Sequence, residues 1–260
     1  MTFKLFARLF AVVISASIIT ATGVRAAPML DVIFVFDGSG SVASPDFITM
    51  TDAVKDYAGI LDAGVPASAG PPPEPALAAA DLQAGIVQFS TGASLELGLS
   101  GDLSVFNTTL DNLAPQGGQT NHAAAFSAAA AELAANGRAG AQQAIILVTD
   151  GSANEPTGSP VDPVTAAINA ANAAKGDGIL IFTIGVGNDL SLVDLSDYAS
   201  GPGFLANVDE FNDLAALDTT IAEAFLMEAS TSVDAPAPLA LLGLGLAGLT
   251  FMRRRRSATA

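Results

Sequence analysis

The chain has 260 residues, ten of them basic and 26 acidic, a formal net charge of −16 and no cysteine. Without cysteine there are no disulfides, thiolate metal sites or thiol nucleophiles, so an exported domain of this chain must rest on its apolar core. Between Asp31 and Asp234 lie all 26 acids and the basic residues Lys55, Arg138 and Lys175, a balance of −23. That excludes nucleic-acid binding through a basic stripe.

Residues 1–26 read as a signal peptide. Lys4 and Arg8 form a positive n-region, residues 9–19 are apolar, and the run 24–26 ends in the small residue Ala26. The alternative is an N-terminal membrane anchor, against which the apolar run is short for a span of roughly 20 residues. The mature chain is expected to begin near Ala27, outside the cytoplasm. Residues 28–230 then read as one domain, long enough to bury a core.

The first strand is predicted over 31–36, DVIFVF, and it runs directly into Asp37-Gly38-Ser39-Gly40-Ser41. Ser44 ahead of Pro45 predicts an N-cap with proline at the first helical position. Phe47, Met50, Val54, Ala58 and Leu61 then recur at helical spacing. The proline-rich segment 64–77 can hold neither a ladder nor a helix and predicts an extended surface loop. A second strand follows over 82–89. Residues 93–99 alternate in polarity after a short turn, which predicts an antiparallel edge hairpin. Further helices are expected over 103–112, 121–136, 162–175 and 211–227, the last with Leu214, Leu217, Ile221 and Phe225 on one face. Strands over 144–149 and 179–186 complete the set.

Three of the strands are almost continuously apolar, as strands buried on both faces of a parallel sheet are. Alternation with helices predicts an α/β fold: a doubly wound, Rossmann-like, mostly parallel sheet flanked by helices, with one antiparallel edge strand. Ligands of such sheets sit beyond the carboxyl ends of the strands, where the strand order reverses.

Three strand-to-helix loops carry oxygen donors there. Asp37, Ser39 and Ser41 follow the first strand. Thr120 lies in the glycine-containing loop PQGGQTNH, and Asp150, preceded by Thr149 and followed by Gly151, ends the strand AIILVT. Carboxylates and hydroxyls are hard ligands suited to Mg2+, Mn2+ or Ca2+. Two carboxylates balance a divalent charge, and neutral hydroxyls leave the ion able to attract a further anion. The hydroxyls alone would also suit helix caps and turns. A phosphate loop is excluded, since there is no Gly-x-x-x-x-Gly-Lys motif.

This pattern resembles the metal-ion-dependent adhesion site of von Willebrand factor type A domains. That site has Asp-x-Ser-x-Ser after the first strand, a Thr in a glycine-containing loop and Asp-Gly after the fourth strand. Residues 181–187 and 204–214 also resemble the late strands and closing helix of that family, so the resemblance spans about residues 30–228. It implies a Rossmann-like fold and a divalent cation, usually Mg2+, held by Asp37, Ser39, Ser41, Thr120 and Asp150. It further implies a partner that offers an acidic side chain to the metal.

Where members often carry a second Thr, this chain has His122, its only histidine. Three roles are open to it: an inert place on the first helical turn behind an Asn121 cap, the rim of the site, or a metal ligand. The acids of 189–197 and 209–213 lack calcium-loop spacing and read as solvated faces and caps.

Residues 231–260 resemble a PEP-CTERM sorting signal, with Pro236-Ala237-Pro238 in place of Pro-Glu-Pro, an apolar run from Leu239 to Met252 and arginines at 253–256. Such a tail implies handover to the surface or matrix of a Gram-negative bacterium. A plain membrane anchor is the alternative, with the arginines on the cytoplasmic side. The expected function is that of an exported module, not an enzyme, binding a protein or matrix partner through its cation. The alternatives are a structural matrix component whose metal only stabilises the fold, and a metal-assisted hydrolase.

Overall fold

A computed structural model describes residues 27–67, 76–187 and 192–232. The signal-peptide and sorting-tail assignments therefore lie outside the described residues. Among the described residues no helix is long and apolar enough to cross a membrane.

A six-stranded sheet carries the domain. In chain order the strands are β1 (Met29–Asp37), β2 (Asp81–Phe89), β3 (Ala93–Ser100), β4 (Gln142–Thr149), β5 (Leu180–Val186) and β6 (Leu205–Val208). Their spatial order is β3-β2-β1-β4-β5-β6. All neighbours pair in parallel except β2 and β3. The chain starts at the centre, works outward to β3, then returns beside β1 and works outward the other way. The order therefore reverses between β1 and β4, which opens a crevice beyond their carboxyl ends.

Side-chain alternation splits the core into two layers. Leu30, Val32, Phe34 and Phe36 of β1 enter one cluster with α1 (Ser44–Ala63), α2 (Leu103–Asp111) and α6 (Asp218–Ser232). Ile33 and Val35 enter the other, with α3 (His122–Asn136), α4 (Pro163–Gly176) and α5 (Leu192–Tyr198). β4 divides in the same way, Ile146 and Val148 against Ile145 and Leu147. This two-sided burial is what the unbroken apolar strands require.

Several details differ from the sequence-based expectation. Ala43, in extended conformation, takes the N-cap of α1 without a side-chain bond, and Ser44 is already helical. The segment expected as one helix over 211–227 begins as a 3-10 helix, Phe211–Leu217, before α6. The proline-rich loop is closed by one backbone bridge, Val65 to Leu77. The short strand β6 and helix α5 were not anticipated from periodicity.

At the pole away from the crevice, Asp31 is fully buried. Arg138 reaches it with its backbone N–H and with Nε, at 2.6 and 2.7 Å, while its Nη1 meets Asp81 at 2.7 Å. The guanidinium thereby ties the start of β1 to the start of β2.

Candidate metal centre

The loop after β1 is stitched by backbone bonds to its two neighbours. Gly38 N–H donates to the Phe89 carbonyl at the end of β2, at 2.7 Å, and the Gly38 carbonyl accepts from Gln116 and Gly117 at 2.9 and 2.8 Å. Gly40 N–H donates to the Gly118 carbonyl at 3.0 Å. A Cβ on Gly38 would stand 2.4 Å from Gln88 Nε2 and displace that side chain, while Gly118 turns at φ 92° beside Thr91, a conformation that favours glycine.

The Thr120 loop is bound in turn to the loop after β4. Thr120 N–H donates to Asn154 Oδ1 at 2.7 Å, and its carbonyl accepts from the N–H groups of Asn154 and Glu155. Asn121 caps α3 by accepting from Ala124 N–H at 2.9 Å, and its amide donates to the Thr91 carbonyl. The cap aligns Thr120 just outside the helix. Its hydroxyl lies 3.7 Å from where a Cβ on Gly151 would be.

The structure thus brings all five sequence-predicted residues to one place. Asp37, Ser39 and Thr120 are buried, while Ser41 is exposed and Asp150 half-buried. Asp37 Oδ1 accepts from Ser39 N–H at 2.9 Å, and Oδ2 accepts from the Thr149 hydroxyl at 2.6 Å. The hydroxyls of Ser39 and Ser41 lie 3.0 Å apart, and Ser41 donates to Asp150 Oδ1 at 2.7 Å.

Burial pushes the Asp37 carboxyl up to about 6, against the bonds from Ser39 and Thr149 and with help from the Asp150 charge. Burial also raises Asp150, against the bond from Ser41. The described basic residues are engaged elsewhere. Lys55 meets Asp52 and Asp111, Arg138 meets Asp31 and Asp81, and Lys175 donates to the carbonyls of Asp197 and Ala199. A neighbouring cleft of about 360 Å³ adds Asp46, Asp209 and Glu210 beside Asp150.

This donor set fits a hard divalent cation. Two carboxylates raised by burial lie without a basic partner, the Ser39 and Ser41 hydroxyls adjoin them, and the Thr120 hydroxyl lies beside Gly151. Among the described residues no group of three or more His, Cys, Asp or Glu could hold a metal, so hydroxyls have to complete any shell here.

His122 is not on the rim. It is fully buried on the first turn of α3, behind Asn121, between Thr149 and Tyr198. Burial lowers its pKa to about 3, so the ring is neutral. Sequence reasoning noted Thr149 without giving it a task, although a hydroxyl closing an apolar strand was a signal. Asn154 and Tyr198 left no comparable trace.

The family model described as "von Willebrand factor type A domain" matches residues 31–220. The collagen alpha-4(VI) chain of Mus musculus is 25% identical over 200 residues, covering 76% of this chain and 8% of that one. The chain therefore spans under a tenth of that relative's length. Proximal thread matrix protein 1 from the mussel byssus superposes with TM-score 0.59 at 21% identity, over 76% of this chain and 47% of that one. A further structure of it, with TM-score 0.57, is described as having a zinc-occupied MIDAS motif. The vWF domain of the type V pili tip protein Mfa5 from Porphyromonas gingivalis gives TM-score 0.62 at 15% identity, over 79% and 97% of the two chains.

Proposed function

Because the chain belongs to the von Willebrand factor type A domain family, we propose that it is an exported adhesion module working through a divalent cation. Asp37, Ser39, Ser41, Thr120 and Asp150 would hold the ion, Mg2+ or Mn2+ ahead of Ca2+. When bound, the cation supplies a positive point that a partner carboxylate can join. The chain's own groups do the rest. Ser39 N–H and Thr149 fix the Asp37 carboxylate, Ser41 fixes Asp150, and the backbone stitching holds Thr120 opposite them. The carrying observation is the 2.7 Å bond from Ser41 to Asp150, which joins loops 109 residues apart around two uncompensated carboxylates.

The partner is proposed to be a protein or matrix component at the cell surface, in keeping with relatives described as matrix and pilus proteins. Surface or matrix delivery by the tail at 231–260, after removal of residues 1–26, belongs to the same proposal. A hydrolase is not favoured. The two side-chain bonds of His122 go to Thr149 and Tyr198, so it does not activate Ser39 or Ser41.

The test is a pull-down from the surface fraction of the producing cell with the full-length chain. Capture is expected with Mg2+ or Mn2+, and its loss with chelator or with Asp37→Ala. A partner held equally well in chelator would refute the cation mechanism. If Asp37→Ala lowers stability and the native chain captures nothing, the metal serves only the fold.

A further inference from the structure

We infer that His122 and Tyr198 position the Asp37 carboxylate through Thr149, as a buried hydrogen-bond chain behind the metal cradle. The inference rests on the cation reading above and assigns the one histidine a task within it. His122 Nε2 stands 3.2 Å from Thr149 Oγ1, and Nδ1 stands 3.4 Å from the Tyr198 hydroxyl. Thr149 Oγ1 is in turn 2.6 Å from Asp37 Oδ2. All four residues are fully buried.

The direction of the chain follows from proton counting. A carboxylate only accepts, and a threonine hydroxyl has one proton. Two acceptors compete for that proton, the Gly151 carbonyl at 3.1 Å and, with Asp37 ionised, the charged Oδ2 at 2.6 Å, and the shorter, charged one takes it. Thr149 Oγ1 is then left to accept, from Gly151 N–H at 3.2 Å and from His122. His122 must therefore hold its proton on Nε2. Nδ1, on the other side of the ring, faces the Tyr198 hydroxyl.

Packing fixes the ring in this orientation. Phe89 of β2 meets it edge-on at 5.3 Å between centroids, and Tyr198 of α5 at 5.6 Å. Phe126 of α3 braces Tyr198 at 5.3 Å. His122 thus touches neither the cation cradle nor solvent, and it acts only through Thr149. Outer-shell partners of this kind orient a ligand, and their loss typically weakens metal affinity about 10–100-fold.

The test is Mn2+ titration of the full-length chain, with the thermal midpoint in chelator measured alongside. His122→Phe keeps a ring but loses the N–H, and it is expected to weaken Mn2+ binding about tenfold. His122→Gln restores an N–H near Nε2 and should return to within about threefold of the native value. Thr149→Val should lose at least as much as His122→Phe. Adding His122→Phe to Thr149→Val should then cost nothing more, because the two act in series. Unchanged affinity in His122→Phe, or losses that multiply in the double variant, would overturn the inference. So would a Gln variant as weak as Phe, because a group that only fills space gains nothing from an N–H.

If His122→Phe does not fold in chelator, Tyr198→Phe carries the test, since it removes one oxygen and no packing. About threefold weaker binding is expected alone, and none in the Thr149→Val background; unchanged affinity alone overturns the inference. A native chain that binds no Mn2+ removes the cation reading itself, an outcome visible before any variant is made.

Discussion

Asp37 is the residue on which the site turns, and its burial has a measurable sign. An unfolded carboxyl titrates near 3.8, whereas the folded one is pushed up to about 6. Between those values the folded chain holds a proton that the unfolded chain has released. Without metal, Asp37 therefore weakens the fold above pH 6, by on the order of 3 kcal/mol, and that penalty disappears as the pH falls towards 4. A bound cation favours the ionised form and opposes the penalty. In chelator at pH 7, Asp37→Asn is expected to be more stable than the native chain by about 1–3 kcal/mol. The two should converge near pH 4, and added Mn2+ should stabilise only the native chain. Urea unfolding across that pH range measures it, and equal stability at pH 7 would count against a desolvated carboxylate. The proposed ligand positions were legible in the sequence because Asp37, Ser39, Ser41 and Asp150 stand next to glycines just after apolar runs, and Thr120 follows a glycine pair two residues on, ahead of an alanine-rich helix. Tyr198 was hidden because its neighbours Asp194 and Asp197 give the segment the look of a solvated face, although Leu195 and Tyr198 are buried there.

At the scale of elements, the two poles of the sheet have different tasks. β1 carries Asp31, clasped by Arg138, near its start and ends at Asp37 in the candidate cradle. Removing one partner of a buried ion pair strands the other, at a cost of about 3–5 kcal/mol. Arg138 keeps some exposure, so Arg138→Ala is expected to lower stability by about 3 kcal/mol. Mn2+ affinity should stay unchanged, because the cradle lies at the far end of a nine-residue strand. Unfolding and titration on the same sample separate the two; a large loss of affinity would mean that the poles are coupled. The long parallel strands and α1 to α4 were legible because unbroken apolar runs and 3.6-residue spacing specify them directly. The four-residue β6 is too short to show alternation. The 3-10 segment Phe211–Leu217 places Leu214 and Leu217 three apart, a spacing that also suits an α-helix, so the pattern could not distinguish the two. At α1, Ser44 and Pro45 allowed either of two cap positions, and the extended backbone of Ala43 decided between them.

At the scale of the molecule, the three cations among the described residues are committed to internal partners, so self-repulsion among the acids there is uncompensated. Salt screens such repulsion beyond roughly 8–10 Å near physiological strength. In chelator the thermal midpoint is expected to rise by several degrees between low salt and about 0.3 M NaCl. A flat response in a thermal melt would show that the acids are too dispersed to repel. The same field would work against an acidic partner until a cation is in place, so under the proposed function the metal would be both the attachment point and the local counter-charge. Geometry adds one practical possibility. The bridge from Val65 to Leu77 closes its loop with bonds of 3.0 and 2.8 Å at the end of α1, on the pole opposite Asp37. Chain spliced between those two clasped residues would hang from the base of the domain. A biotin acceptor peptide placed there would tether the protein to a sensor chip with the proposed cation-binding face turned outward, ready for capture experiments in flow.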